Sequence, residues 1–268
     1  MGCGSSKQVA GIDDRHPNPR AGRGQQGAIQ ISPPLETTIH IPRNRADRHG
    51  VPIPTTVHEI DNSTLNSALT HMAVYLNQRQ KQLTVIAVGG AINTLYLRTR
   101  SSTHDVDIFG SMLDTPARVL LDEAMQHAMC QVTKALGVTK ALGTDWFNTE
   151  NQMWLSPDLH RQLTNEAIEQ NVVIFHKPGL RILAAPWNYS FSGKIQRLLT
   201  GGQQVRPYDL RDAVHYLHQI VTRNNEQPVP AATIQAWAQR FHHQSSKRFI
   251  LSTVNAEYKR VYKRNGIV

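Results

Sequence analysis

Val88-Gly89-Gly90-Ala91-Ile92-Asn93-Thr94-Leu95-Tyr96-Leu97-Arg98-Thr99-Arg100-Ser101-Ser102-Thr103-His104-Asp105-Val106-Asp107-Ile108-Phe109 changes its chemistry twice, and those changes set the architecture of the chain. Leu83 to Val88, at its front edge, is a compact apolar run that reads as a buried strand. Gly89-Gly90 ends that strand and opens a helix expected over Ala91 to Arg98. Free backbone N–H groups at such a helix start favour an anion such as a triphosphate. Asp105 to Phe109 is a second strand. Asp105 and Asp107 alternate there with Val106 and Ile108, so both carboxylates point to one face. Two converging carboxylates suit Mg²⁺, which takes one or two of them together with phosphate oxygens. Arg98 and Arg100 lie just before the pair, where they would neutralise phosphate charge.

The pattern extends outward in both directions. Asp61 to Gln80 reads as a helix: Asp61-Asn62-Ser63 supply N-cap chemistry, and Leu65, Leu69, Met72, Ala73 and Leu76 share one face. Pro116 to Leu136 is a long helix with proline in its first turn, and Pro157 to Gln170 is another. Strands are expected at Val172 to Phe175 and Leu180 to Ala184. The chain then turns helical over 187–200, 209–222 and 233–245. Strands in the first half and helices in the second give an α/β (α+β) fold: a small mixed sheet flanked by helices, with a helical C-terminal region.

The pair of small residues after a strand, followed by Asp-x-Asp on the next strand, resembles the nucleotidyltransferase superfamily. Lys194-Ile195-Gln196-Arg197 and then Arg206-Pro207-Tyr208-Asp209-Leu210-Arg211-Asp212 look like the second segment of one branch, which includes the nucleotidyltransferase toxins of abortive-infection systems. Trp146-Phe147-Asn148 and Ala184-Ala185-Pro186-Trp187 give the chain the look of a fungal member. The similarity spans about residues 60–222. It implies that Gly89 and Gly90 approach the nucleotide phosphates, with Arg100 nearby. It also implies that Asp105 and Asp107 hold Mg²⁺ or Mn²⁺, that Lys194 contacts phosphate, and that Asp209 completes the acidic cluster or acts as general base. Asp212 would orient the start of its helix, where carboxylates are favoured. The implied reaction is attack by an acceptor hydroxyl on the α-phosphate of an NTP, with pyrophosphate leaving. The acceptor is a protein, an RNA or a small molecule.

This chain departs from the family pattern in three places. The later strands carry no third carboxylate, fourteen residues separate Gly90 from Asp105, and glycine stands where a serine often follows the first glycine. The missing carboxylate supports a second expectation, a catalytically inactive module that binds a nucleotide or a partner.

The 268 residues hold 29 Lys and Arg against 20 Asp and Glu, a net charge of +9. Seven cations against Glu257 alone place +6 of that charge in residues 240–268, so a general affinity for nucleic acid does not follow. The longest apolar runs are too short to cross a bilayer. The start, Met1-Gly2-Cys3-Gly4-Ser5-Ser6-Lys7, fits N-myristoylation at Gly2. One such chain binds membranes only weakly, and Cys3 would add a palmitoyl group. Expected, then, are a lipidated, largely disordered tether over 1–56 with a short strand at Thr37 to Ile41, a nucleotidyltransferase-like domain over 57–222, and a C-terminal helix and basic tail over 223–268. The tail would meet anionic lipid or acceptor RNA, and the protein would sit at the cytosolic face of the plasma membrane. Cys130, Trp146, Trp154 and Trp187 are expected in the core. The 13 histidines lack ligand spacing, and His104 alone stands beside the chemistry.

Overall fold

A computed structural model describes residues 57–109, 114–148 and 155–268. Gly2, Cys3, the tether, the strand at Thr37 to Ile41 and Trp154 lie outside these residues. The sheet has strand order β5-β4-β2-β7-β6. It comprises β2 (Leu83–Val88), β4 (Val106–Phe109), β5 (Phe147–Asn148), β6 (Val173–Lys177) and β7 (Leu180–Ala184). Central β2 runs antiparallel to β4, with Val88 opposite Asp107, and parallel to β7, with Ala87 opposite Ala184. A separate antiparallel pair joins β1 (Ile60–Asp61) to β3 (Ser102–Thr103). The mixed sheet and the helical second half agree with the α+β reading.

One face of the sheet is covered by α1 (Asn62–Gln78) and α3 (Thr115–Leu136), whose Leu65, Leu69, Met72, Leu121, Met125 and Val132 share a cluster with Val85, Val106 and Ile182. Each helix begins where a side chain accepts a backbone N–H: Asp61 from Thr64, Asp114 from Ala117. The short α2 (Gly90–Leu95) and α4 (Pro157–Gln170) complete the first half. Beyond it come α5 (Trp187–Thr200), α6 (Asp209–Arg223) and α7 (Ala231–Arg240).

The C-terminal segment is more ordered than the helix and basic tail expected over 223–268. Lys247–Phe249 (α8), a π turn over Ile250–Val254 and α9 (Asn255–Tyr262) form a helical run. Ile250, Val254, Tyr258 and Ile267 are buried in one cluster with Ile92, Trp187, Phe191 and Leu217. Fully burying such side chains contributes roughly 1.5–3 kcal/mol each, whereas a solvent-screened ion pair such as Arg260–Glu257 contributes little. Packing therefore holds this segment, and its core continues without a break across residue 222. Asn255 Oδ1 accepts the N–H groups of Gly266 and Ile267, and Val268 exchanges backbone hydrogen bonds with Val229 and Ala231.

Cys130 is a correction: it is exposed, because the buried stripe of α3 runs through Leu121, Ala124, Met125, Ala128 and Val132 and leaves 130 on the outer side. Trp146 and Trp187 are buried as expected, but in different clusters. Among the described residues, no helix is long and apolar enough to cross a membrane.

Candidate active site

Gly89 caps α2 with φ +71°, a conformation that other residues adopt only under strain, and this turns the chain sharply at the end of β2. Its carbonyl accepts from Tyr216 Oη at 3.1 Å and Asn93 Nδ2 at 3.1 Å, and Asn93 also donates to Tyr216 Oη at 2.6 Å. α6 thus pins the turn from across the molecule. Gly90 has a different reason to be glycine. A Cβ there would collide with Thr103 Oγ1 and lie 3.1 Å from Thr103 Cβ. The threonine hydroxyl, which donates to the Asp105 carbonyl, occupies the space that a side chain at 90 would take.

Antiparallel pairing with Val88 brings Asp107 beside the same turn, its Oδ2 3.9 Å from the Cβ position of Gly89. Asp105 and Asp107 are both half-buried, and both line a cavity of about 290 Å³ with Gly89, Gly90, Arg100 and Lys194. Six residues singled out in the sequence therefore meet in one place. Ser190, Gly193, Lys194 and Arg197 recur at helical spacing, and α5 thereby forms a wall of the cavity. Arg206, Thr103, Tyr189, Tyr216 and His243 also line it.

Asp209 does not line the cavity. It is fully buried behind Lys194: one carboxylate oxygen accepts from Lys194 Nζ at 2.6 Å, the other from the Arg206 backbone N–H at 2.9 Å. Burial raises its pKa, but the Lys194 ammonium and the Arg206 N–H outweigh this and hold the carboxyl below its ordinary value. From that position it holds Lys194 in place behind the cavity wall. Asp212, expected to orient a helix start, is also an ion-pair anchor. It meets Lys194 Nζ at 2.8 Å and both Nε and Nη2 of Arg100, whose guanidinium lies 3.5 Å above the Tyr208 ring. Arg197 is exposed and 3.8 Å from Asp209, Arg206 is exposed, and Arg98 is exposed and away from the cavity.

His104 is half-buried and outside the cavity lining; burial and then Arg206 push its ring below the usual imidazole value. Sequence reasoning missed Tyr189, Ser190, Thr103 and His243. Only Ser190 carried a usable signal, standing one helical turn before Lys194. Among the described residues, no three His, Cys, Asp or Glu side chains come together in a way that could hold a metal ion. The donor set is the Asp105–Asp107 pair, which fits Mg²⁺ only when phosphate oxygens and water complete its shell.

No curated protein and no solved structure matches the chain. One family model covers residues 58–265, from α1 through α9, so the C-terminal helices belong to the same unit as the sheet. The chain belongs to the family described as Domain of unknown function (DUF7582).

Proposed function

We propose that the protein is a Mg²⁺-dependent nucleotidyltransferase that moves an NMP from an NTP onto the hydroxyl of an acceptor. One observation carries the reading: a single cavity sets the half-buried carboxylates Asp105 and Asp107 together with the cations Lys194, Arg197 and Arg206. A triphosphate with its metal needs both signs of charge at close quarters, and neither alone would suffice. Asp105 and Asp107 would hold Mg²⁺ or Mn²⁺, which would supply charge neutralisation at the transferred phosphoryl group. Lys194, fixed by Asp209 and Asp212, and the freer Arg197 and Arg206 hold phosphate oxygens. Gly89 and Gly90 would bring the backbone close to the phosphates at that end of the cavity.

Full-length protein incubated with each α-labelled NTP, Mg²⁺ and cell extract should transfer label. The double variant Asp105→Ala/Asp107→Ala should transfer at least about a hundredfold less. Equal transfer by the two proteins would remove this reading.

A second reading rests on a specific feature of the same site. The charge of Lys194 is already matched by Asp209 and Asp212, and that of Arg100 by Asp212. A nucleotide-binding module without turnover fits that balance, and calorimetry showing Mg²⁺-dependent NTP binding without label transfer would establish it. In either case Gly2 and Cys3 would tether the protein to the cytosolic face of a membrane.

A further inference from the structure

The wall that α5 gives to the cavity changes character along its length. Its C-terminal part is cationic, through Lys194 and Arg197. Its N-terminal part carries Tyr189, Ser190 and Gly193, joined by His243 from the turn after α7. At about 1.5 Å per residue, Ser190 lies roughly 6 Å along the axis from Lys194, which is one phosphate group or more away. This neutral end is superfluous for gripping phosphates, yet it holds two groups prepared for a ligand. Ser190 is 8 % exposed, and its Oγ, closed off from solvent, has no hydrogen-bond partner among the described residues. Such a hydroxyl is unfavourable left unmatched, and a rotation of its side chain toward the cavity would let a ligand satisfy it. His243 is half-buried, with Nδ1 3.0 Å from Ser192 Oγ and its ring beside the touching rings of Tyr189 (5.8 Å) and Phe241 (6.0 Å). Burial, and then neighbouring His242, push its pKa below the usual value, so the ring is neutral near pH 7. The absent side chain at Gly193 leaves the Cε1 edge of that ring uncovered.

We propose that Tyr189, Ser190 and His243 form the acceptor seat of this cavity, taking a hydroxyl-bearing acceptor whose proton passes to His243. The proposal rests on the nucleotidyl-transfer reading above. In the tautomer that donates Nδ1–H to Ser192 Oγ, Nε2 keeps its lone pair. The acceptor proton moves to Nε2 as the acceptor oxygen bonds to the α-phosphorus. The bond from that phosphorus to the oxygen bridging to the β-phosphate breaks, and pyrophosphate leaves with the electron pair. His243 then returns the proton to solvent. Ser190 Oγ holds the acceptor hydroxyl in line. The role assigned to Asp209 by resemblance thus passes to a residue that reaches the cavity.

Two measurements on the full chain test this. Long-range ¹⁵N spectra of the histidines should show the His243 proton on Nδ1; a proton on Nε2 would overturn the proposal. Pyrophosphate release is then followed from NTP and Mg²⁺, with the alcohol supplied in separate arms as glycerol, total RNA and total protein. His243→Asn keeps an amide donor for Ser192 and a similar shape but has no basic nitrogen. It should slow release at least about a hundredfold, while NTP affinity by calorimetry stays within about twofold. Ser190→Ala should lower kcat/KM for the acceptor about tenfold through KM. His243→Asn matching wild type, or losing NTP affinity in step with rate, sinks the acceptor seat alone. Wild type that binds NTP but releases no pyrophosphate in any arm sinks the transfer reading and the seat with it.

Discussion

Asp212 balances two cations at once. It is 1 % exposed and pairs with both Lys194 and Arg100, so removing it strands the Arg100 guanidinium and leaves Lys194 with Asp209 alone. Asp212→Ala should destabilise the fold by about 3–5 kcal/mol in denaturant unfolding, against little change for Glu257→Ala at a solvent-screened pair. Similar losses for the two would mean that the network is not the keystone its burial implies. Asp105 and Asp107 were legible as a pair because a strand's period of two puts alternate residues on one face. Lys194 and Asp209 were legible as members of one site, but not as an ion pair. Which face of α6 turns inward depends on packing against α5, and that packing puts the carboxylate behind the lysine. His243 was not legible at all. Its approach to Ser192 spans 51 residues of sequence and leaves no local mark.

Elements were readable in proportion to the strength of their periodicity and caps. α3, α4, α5 and β7 stand within a residue of expectation, with Asp114 and Ser156 acting as the N-caps of the first two. The two-residue strands β1, β3 and β5 escaped notice because two residues carry no period. α7 ends at Arg240, not at 245, since Phe241 turns inward and His242 takes φ +56°. α9 was hidden behind its own charge, although Ile250, Val254 and Tyr258 recur every four residues. Its docking onto α6 runs through His215 Nδ1 to Tyr262 Oη at 2.7 Å and His218 Nδ1 to Tyr258 Oη at 3.1 Å, with the His218 and Tyr262 rings stacked at 3.8 Å. Burial, joined by Arg211 at His215 and by Arg264 at His218, lowers both imidazole pKa values, with Asp212 opposing at His215. Both rings are easier to charge once released, so the unfolded chain binds more protons below its ordinary value of 6.5. The stabilisation is full above that pH and declines as pH falls. Amide exchange in 255–262, corrected for intrinsic rates, should therefore show weaker protection at pH 5.5 than at 7.5, and equal protection would count against this docking.

At the scale of the whole molecule, much of the C-terminal charge is neutralised within the fold. Arg240, Arg260 and Arg264 pair with Glu166, Glu257 and Glu226, so three of the seven C-terminal cations are locally offset. Lys247, Arg248, Lys259 and Lys263 remain exposed. Four cations at about 1 kcal/mol each near an anionic leaflet would support a lipid anchor without replacing one. Gly2→Ala should therefore shift most of the protein from the membrane pellet to the soluble fraction and abolish myristate labelling. An unchanged distribution would place the anchor elsewhere.

Thr103 gives the glycine turn a historical consequence. Its hydroxyl fills the volume that a side chain at 90 would need, so the two positions cannot vary independently. A relative that carries serine at the second glycine must hold something smaller at the position of Thr103, and one that keeps the threonine must keep the glycine. Substitutions at these two sites, thirteen residues apart in sequence, should appear among relatives as a correlated exchange, with the hydroxyl handed from one strand end to another.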